Sequence, residues 1–170
     1  FPHKMVVVTG PSAVGKDAVA DELIKWLPLK KIVTTTTRPM RHGEKRGLDY
    51  HFVSRERFEE MIKKDLLVEY TEYGEHYYGR QRKDMRKPSL EGLVPILIVD
   101  PDEALEIQQN NPEALTIFIK PESINIIKKR LIARGSSIDE IDKRLRLAKE
   151  AMQKEPIFAY SVVNKDGKLE

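Results

Sequence analysis

The sequence predicts an α/β fold in which helices flank a parallel β-sheet. Short apolar runs alternate along the chain with segments whose apolar residues recur at helical spacing. Two of these runs, VPILIV (94–99) and ALTIFIK (114–120), are apolar over nearly their whole length, which is typical of strands buried on both faces of a parallel sheet. The alternation breaks once, over residues 34–83, where short strands cluster. We therefore expect one sheet-based domain that carries a single insertion.

Each element has its own local signal. The run KMVVVTG (4–10) is β-branched and ends in glycine, and DAVADELIKWL (17–27) has apolar residues at helical spacing. The segment PDEALEIQQN (101–110) begins with proline and acids, as helices often do. Further helices are predicted at SRERFEEMIKK (54–64), RKDMRKPSLEG (82–92, limited by Pro88), PESINIIKKRLIARG (121–135, begun by Pro121) and SSIDEIDKRLRLAKEAMQK (136–154), and further strands at YHFVS (50–54), LLVEYTEY (66–73), EHYYG (75–79, after a turn at Gly74) and FAYSVVN (158–164).

The composition excludes several classes of protein. The chain has 170 residues, no cysteine, and 30 basic against 27 acidic residues, for a net charge of +3. The absence of cysteine excludes disulfides and fits a cytoplasmic location. No apolar run approaches the length that spans a bilayer, and the first ten residues do not resemble a secretory leader. The mixed charge indicates small anionic ligands rather than nucleic acid, and the sequence predicts neither a nucleic-acid nor a membrane partner.

The stretch GPSAVGKD (10–17) indicates a phosphate-binding loop. It follows a predicted strand and precedes a predicted helix, so its backbone N–H groups would surround an anion at the positive end of the helix dipole. Gly10 and Gly15 allow the backbone to curl, and Lys16 supplies a point charge for the outer phosphates. The pattern G-x-x-x-x-G-K-[ST] requires a hydroxyl at its last position, where this chain has Asp17.

Asp17 is electrostatically unfavourable beside a bare phosphate. Two like charges about 4 Å apart repel by roughly 4 kcal/mol at an effective dielectric of about 20. The helix N-terminus returns only about 0.3–1 kcal/mol to an anion. A magnesium ion between the two groups would reverse the sign, because it attracts both. Asp17 is therefore either a damaging substitution or a direct metal ligand.

Several ordered segments of the chain resemble one enzyme family. They are VVVTGPSAVGK (6–16), TTTTRPMRHGEKRGLDYHFVSRERFEEMI (34–62), VEYTEYGEHYYG (68–79), KRLIARG (129–135), IDKRLRLA (141–148) and VVN (162–164). Together they resemble the guanylate kinases from residue 5 to about residue 166. The resemblance implies a P-loop NTPase sheet with three parts: a core (1–33, 84–125 and 147–170), an inserted small mixed sheet that binds the nucleoside monophosphate (34–83), and a helical lid (126–146).

The resemblance also implies where the acceptor nucleotide GMP binds. Its phosphate would be held by Arg38, Arg41, Tyr50 and Tyr78, since guanidinium groups bind phosphate oxygens in a fork and phenol hydroxyls complete the shell. Glu69 corresponds to the carboxylate that accepts hydrogen bonds from N1–H and the exocyclic amine of guanine. The remaining implied GMP contacts are Thr34, Gly79, Arg80 and Asp100, of which Asp100 matches the second aspartate of the family's D-x-D.

Two positions depart from the family pattern. Arg80 stands where the family has a small hydroxyl residue that reads the base. Arg80 could donate to O6 or N7 of guanine, swing to solvent, or serve a different acceptor. Ile98 stands where the family has the first aspartate of the D-x-D, near the magnesium. We hypothesise an exchange in which Asp17 supplies the metal's carboxylate from the loop. The related ribose 1,5-bisphosphate phosphokinases also have G-K-D in their loop, which supports activity, but they generally lack the Glu69-type guanine reader.

The remaining implied groups act on the donor nucleotide. Phosphoryl transfer requires positioning and the neutralisation of charge on the moving group. The resemblance assigns this role to Lys16, Arg134 and Arg144 together with Arg41, while Arg130 and Arg146 are equally well read as solvated helix residues. The implied ATP-binding residues are Gly10, Ser12, Ala13, Val14, Gly15, Lys16, Asp17 and Asn164. The four histidines, His3, His42, His51 and His76, have no metal-ligand spacing.

The predicted function is therefore transfer of the γ-phosphoryl group of Mg·ATP to GMP, with the insertion and lid closing over the nucleotides. ATP and Mg²⁺ are the implied cofactors, and a monomer or homodimer is expected. Two alternatives stay open. A kinase of the same chemistry could take another nucleotide or a ribose bisphosphate as acceptor. A guanylate-kinase-like binding module would have no catalysis, although such modules generally lack a functional phosphate loop.

Overall fold

The structure is a computed structural model that describes residues 4–165, except for the side chain of Tyr73. His3 and the end of the predicted core, residues 166–170, lie outside the described residues. The chain divides into two compact units, one of residues 1–29 with 96–170 and one of residues 30–95. The predicted insertion, residues 34–83, falls within the second unit. No helix in the described range is long and apolar enough to cross a membrane.

A five-stranded sheet is built mainly from residues of the first unit. Its strands are β1 (Met5–Thr9), β2 (Leu29–Lys31), β7 (Val94–Ile98), β8 (Ala114–Pro121) and β9 (Tyr160–Asn164), in the order β2-β7-β1-β8-β9. The pairings of β1 with β7, of β1 with β8 and of β8 with β9 are all parallel. The sequence predicted this, because the central strands are apolar along their length. Val7, Val8, Phe118 and Ile119 are fully buried.

The helices of the first unit are α1 (Lys16–Trp26), α4 (Pro101–Asn110), α5 (Ile124–Ala133) and α6 (Ile138–Gln153), followed by a single 3₁₀ turn, Glu155–Ile157. Helix α4 occupies the segment the sequence predicted, with Pro101 in its first turn and the Asp100 carboxylate accepting from the Glu103 N–H at 3.0 Å. Helices α5 and α6 pack through the buried residues Ile127, Leu131, Ile141 and Ala148.

The predicted start of α5 at Pro121 is wrong. Pro121 is the last residue of β8, where it pairs in register with Asn164 of β9. The helix begins at Ile124, after Ser123. Proline is compatible with both a strand end and a first helical turn, because its fixed φ suits either and its missing N–H is not needed there. The local sequence therefore did not separate the two.

The second unit is built on a mixed four-stranded sheet. Its strands are β3 (Thr35–Thr36), β4 (His51–Phe52), β5 (Leu67–Tyr73) and β6 (His76–Gln81), in the order β4-β3-β6-β5. Strands β3 and β4 are parallel, and the other two pairings are antiparallel. The predicted small mixed sheet is thus confirmed. Strands β2 and β3 were not predicted, since they are only three and two residues long.

Two helices complete this unit. Helix α2 (Arg55–Lys63) is capped by the Ser54 hydroxyl, which accepts from the Arg57 N–H, and it buries Phe58 and Met61 against Leu67. Helix α3 (Arg82–Leu90) contains Pro88 in its last turn and ends two residues later. The sequence predicted both helices, and it predicted that Pro88 would limit the second one.

Candidate functional site

The loop between β1 and α1 requires glycine at two positions. Gly10 has φ +137° and Gly15 has φ +95°, both in the region that favours glycine. A Cβ on Gly10 would collide with the carbonyl oxygen of Ile119, and one on Gly15 would collide with the side-chain amide of Asn164. The two glycines therefore let the loop approach β8 and β9 closely, in addition to allowing the turn itself.

Lys16 lies over this loop at the start of α1. Its Nζ donates to the carbonyl oxygens of Gly10 at 2.8 Å and Pro11 at 3.0 Å. Burial lowers the pKa of Lys16 from 10.5 to about 8, although the carboxylates of Asp17 and Asp100 partly oppose this shift. The ammonium is thus held in a desolvated position with two acidic groups near it.

Three elements support the loop from outside it. Arg130 of α5 donates to the carbonyl oxygens of Ala13 at 3.0 Å and Val14 at 2.8 Å. Arg144 of α6 donates to the Ser12 hydroxyl at 2.7 Å while it pairs with Glu140 at 2.8 Å. Asn164, at the end of β9, donates to the Val14 oxygen at 2.8 Å. Three residues that lie 116 to 150 positions along the chain from their partners therefore contact the loop.

Not every predicted donor-site group touches the loop. Arg134 follows α5 as its C-terminal cap and is exposed. Arg146 lies exposed on α6, in agreement with its reading as a solvated residue. The sequence did not decide whether Arg130 serves the loop, since KKRLIARG also reads as a solvated helix face, and its contacts with two loop carbonyls are visible only in the fold.

Two carboxylates lie near Lys16. Asp17 is exposed in the first turn of α1, and Asp100 is exposed at the N-terminus of α4, directly after β7. Ile98 pairs with Val8 inside the sheet, and its side chain has no oxygen that could bind a metal ion. No group of three or more potential metal ligands occurs among residues 4–165. One or two carboxylates nevertheless fit Mg²⁺, which prefers oxygen ligands and usually completes its shell with water and substrate phosphate.

In the second unit, Glu44 organises the predicted phosphate-binding residues. Its carboxylate pairs with both terminal nitrogens of Arg38, at 2.6 and 3.1 Å, and accepts from the Arg41 N–H at 2.7 Å. Burial favours the neutral acid, but the hydrogen bonds from Arg38 and Arg41 hold the pKa of Glu44 below its usual 4.5. Glu44 was not predicted to belong to the site, although its position three residues after Arg41 indicates that the two could interact.

The aromatic residues predicted for the same site lie beside Arg38. The guanidinium carbon of Arg38 is 5.2 Å from the ring centre of Tyr50, within cation–π range. The rings of Tyr50 and Tyr78 meet edge to face, with centres 6.3 Å apart. Arg41 is exposed at the surface of the loop. Arg38, Tyr50 and Tyr78 thus form one cluster, which Arg41 joins through its backbone bond to Glu44.

The predicted base-reading residues lie on β5 and β6. Glu69 stands directly opposite Arg80, and the Arg80 guanidinium pairs with the Glu69 carboxylate. Arg80 is only 3% exposed. A Cβ on Gly79 would lie 2.9 Å from the Glu69 carbonyl oxygen, so glycine permits the close strand approach here. Thr34 precedes β3, and its backbone carbonyl oxygen accepts a hydrogen bond from the His51 N–H at 2.9 Å. Asp100, the remaining predicted member, belongs to the first unit.

One further pair in this unit was not predicted. His51 of β4 lies 3.4 Å from the Asp84 carboxylate of α3. The Asp84 Oδ2 atom is buried without a hydrogen-bond partner among the described residues. No local pattern indicates this pair, because the two residues are 33 positions apart and neither belongs to a recognisable motif.

The sequence is similar to those of known proteins over nearly its whole length. The family model described as guanylate kinase matches residues 2–168. A guanylate kinase of Thermus thermophilus is 37% identical over 162 residues, which cover 95% of this chain and 74% of that protein. One from a Nostoc species is 38% identical over 165 residues, which cover 96% of this chain and 83% of that protein.

A solved structure is also similar to this chain over most of its length. The crystal structure of guanylate kinase from Anaplasma phagocytophilum is 28% identical in sequence and superposes with a TM-score of 0.75, over 96% of this chain and 78% of that one. The α/β fold with its parallel sheet and its smaller mixed sheet is therefore shared with that enzyme.

Proposed function

Because the chain belongs to the guanylate kinase family, we propose that it transfers the γ-phosphoryl group of ATP to GMP and releases ADP and GDP. The observation that carries the proposal is the phosphate loop. Its glycines have the required backbone geometry, and Lys16 is poised over it with a lowered pKa. A binding module without catalysis would not need a desolvated lysine at this position.

The acceptor phosphate is bound in this proposal by Arg38, Arg41, Tyr50 and Tyr78. The Arg38 guanidinium is preorganised because Glu44 and the Tyr50 ring hold it. The exposed Arg41 side chain can turn toward a ligand, since only its backbone is committed to Glu44. Glu69 and Thr34 are assigned to the guanine base, and Asp100 and Gly79 complete the predicted acceptor contacts.

The transfer step requires little covalent work from the protein. A phosphate oxygen of GMP attacks the γ-phosphorus of ATP in line, the new P–O bond forms, and the bond to the β–γ bridging oxygen breaks, so that ADP leaves. Lys16, Arg134 and Arg144 are proposed to neutralise the charge that spreads over the moving oxygens. Arg144 already reaches the loop, since it donates to the Ser12 hydroxyl. Asn164 is proposed to support ATP binding by holding Val14.

We propose that Asp17 is the protein's ligand to Mg²⁺. The exposed carboxylate begins α1 beside Lys16, and Ile98 cannot supply one from β7. Asp17 would hold the ion near the donor nucleotide, where the ion would supply positive charge that neutralises part of the phosphate charge. Asp17 would then attract the metal–nucleotide complex, whereas it would repel the free nucleotide.

A steady-state comparison of acceptors tests the proposed activity. With saturating Mg·ATP, the kcat/KM for GMP should exceed those for AMP, UMP and ribose 1,5-bisphosphate by about 100-fold or more, since a site built to bond substrate donors rejects analogues that lack them. Equal values would exclude the guanine assignment. Preference for the sugar phosphate would favour the alternative acceptor.

The metal role of Asp17 is tested by Asp17→Ser, with Asp21→Ser one turn along α1 as the matched control. Asp17→Ser should raise the magnesium concentration that gives half-maximal turnover, even though it restores the commoner residue. Equilibrium titration with Mg·ATP should show weaker binding as well. Unchanged magnesium dependence in Asp17→Ser would exclude the ligand role.

A further inference from the structure

We propose that Arg80 is a positioning residue for acceptor recognition, which holds the Glu69 carboxylate in the orientation that receives the guanine base. The inference rests on the proposed function, because it adds a member to the base-reading part of that site. Arg80 acts through Glu69, so its effect appears in acceptor binding and selectivity.

A β-bulge brings the two residues together. Leu67 of β5 pairs with Gln81 of β6, whereas Glu69 pairs with Arg80, so Val68 is an extra residue in β5. In a regular ladder, Val68 itself would stand opposite Arg80. A bulge redirects the side chains of its strand, and residues directly opposite each other in an antiparallel pair share one face. The irregularity therefore sets Glu69 and Arg80 side by side.

The two side chains differ sharply in exposure. The Arg80 side chain is 4% exposed, whereas the Glu69 side chain is 46% exposed. A guanidinium removed from water is stable only when it is paired and hydrogen-bonded, and here its Nη1 donates to Oε1 of Glu69. Arg80 is consequently the buried, fixed member of the pair. Glu69 presents its other side to solution, where a ligand can reach it.

The backbone of Glu69 is fixed by the same strand pair. A Cβ on Gly79, the neighbour of Arg80, would lie 2.9 Å from the Glu69 carbonyl oxygen and 3.0 Å from Cβ of Tyr70. The absence of a side chain at Gly79 thus allows β5 and β6 to approach closely at this point. Both the main chain and the carboxylate of Glu69 are held in place.

This arrangement leaves Glu69 able to accept from a base. An ionised carboxylate has about four lone-pair positions, so pairing with Arg80 leaves acceptor capacity on Glu69. The remaining positions can receive the N1–H and the exocyclic amine of guanine. A carboxylate fixed before binding loses less side-chain freedom when the ligand arrives. Arg80 should therefore lower the KM for GMP and increase the preference for a base that carries the exocyclic amine. It should have little effect on the chemical step.

The test is Arg80→Met, which keeps an unbranched side chain of similar reach and removes the guanidinium. The KM for GMP should rise about tenfold while kcat changes by less than about twofold, since a ground-state contact is lost. The KM for ATP should not change. The ratio of kcat/KM for GMP to that for IMP, whose base lacks the exocyclic amine, should fall. Arg80→Lys, which keeps a single charged donor group, should be intermediate.

A double-mutant cycle separates positioning from a direct contact. In a Glu69→Gln background, adding Arg80→Met should change the KM for GMP by less than about twofold, because the pair acts as a unit. Additive effects would overturn the proposal, since Arg80 would then act independently of Glu69. If Arg80→Met does not fold, the same cycle is run with Arg80→Lys.

Arg55→Met is the matched control. This substitution breaks an exposed ion pair with Glu72, which lies on β5 as Glu69 does. The ratio of kcat/KM for GMP to that for IMP should therefore remain at the wild-type value. The outcomes also separate the two proposals. A wild-type protein that does not phosphorylate GMP refutes the proposed function. A wild-type protein that does, with Arg80→Met retaining its KM and its GMP/IMP ratio, refutes only the role of Arg80.

Discussion

Lys16 must carry a positive charge in a position that is removed from water, and these two requirements conflict. It must be charged to attract phosphate, yet its place over the loop is desolvated, so burial lowers its pKa to about 8 despite nearby Asp17 and Asp100. Between pH 8 and 10.5 the unfolded chain holds this proton and the folded protein does not. The cost of burying the charge is therefore fully present below pH 8 and disappears as the pH rises to 10.5, so that stability increases with pH in this window.

ATP affinity should show the opposite trend. Above pH 8 the free protein loses the Lys16 charge, and the affinity for Mg·ATP should fall by about tenfold per pH unit, the slope for one proton. Equilibrium titration between pH 7 and 9.5 measures this. Lys16→Arg, whose guanidinium stays charged throughout, should bind more weakly at neutral pH but with a flat profile. The same decline in Lys16→Arg would assign the titration to another group.

Glu44 shows how the acceptor cluster is preorganised. A single carboxylate engages the side chain of Arg38 and the backbone of Arg41, while Tyr50 lies against the Arg38 guanidinium. The carboxylate thus fixes the Arg38 guanidinium and the backbone of Arg41, although the incoming phosphate must then share Arg38 with Glu44.

Strand β9 has a second role besides extending the sheet. It ends at Asn164, which is 6% exposed and whose amide donates to the Val14 oxygen of the phosphate loop. Arg130 of α5 donates to the same oxygen. The Val14 carbonyl of the loop therefore accepts from two elements, which hold this part of the loop in place.

Removing the Asn164 amide should loosen the loop. Asn164→Ala is expected to lower the free energy of unfolding by about 1 kcal/mol, the usual net value of one hydrogen bond. It should also weaken Mg·ATP binding severalfold and leave the KM for GMP unchanged. Asn111→Ala removes a comparable amide bond, to the Ile107 carbonyl at the end of α4, and serves as the control. Equal losses of ATP affinity in both variants would contradict the loop-supporting role.

The molecule separates its two predicted nucleotide sites between units. The donor loop belongs to the unit of residues 1–29 and 96–170, whereas Arg38, Tyr50, Glu69 and Tyr78 belong to residues 30–95. Each unit has its own buried cluster, and the four-stranded sheet lies wholly within residues 30–95. We therefore expect each nucleotide to order its own unit first.

Hydrogen exchange on the intact chain tests this expectation. GMP alone should slow amide exchange within residues 34–80, and Mg·ATP alone should slow it within residues 10–20, because bound ligand suppresses local opening. Protection of residues 10–20 by GMP alone would place the acceptor in the donor site. AMP, added at the same concentration as GMP, is the control and should protect residues 34–80 far less.

The sequence by itself determined the alternation of strands and helices, the phosphate loop and the family. These features are encoded by near neighbours: apolar periodicity, the proline and acids that begin α4, and the glycines of the loop. Even the limit that Pro88 sets on α3 follows from local backbone chemistry. Only at Pro121, where proline suits two local structures, did such reasoning misplace an element.

Only the tertiary structure decided which of these residues touch. The Arg80–Glu69 pair depends on one extra residue in β5, and a shift of register by one residue would turn Glu69 to the opposite face. The bond from Asn164 to Val14 joins positions 150 apart. Such contacts follow from strand register and packing, which are properties of the whole folded chain, and no local pattern of residue types encodes them.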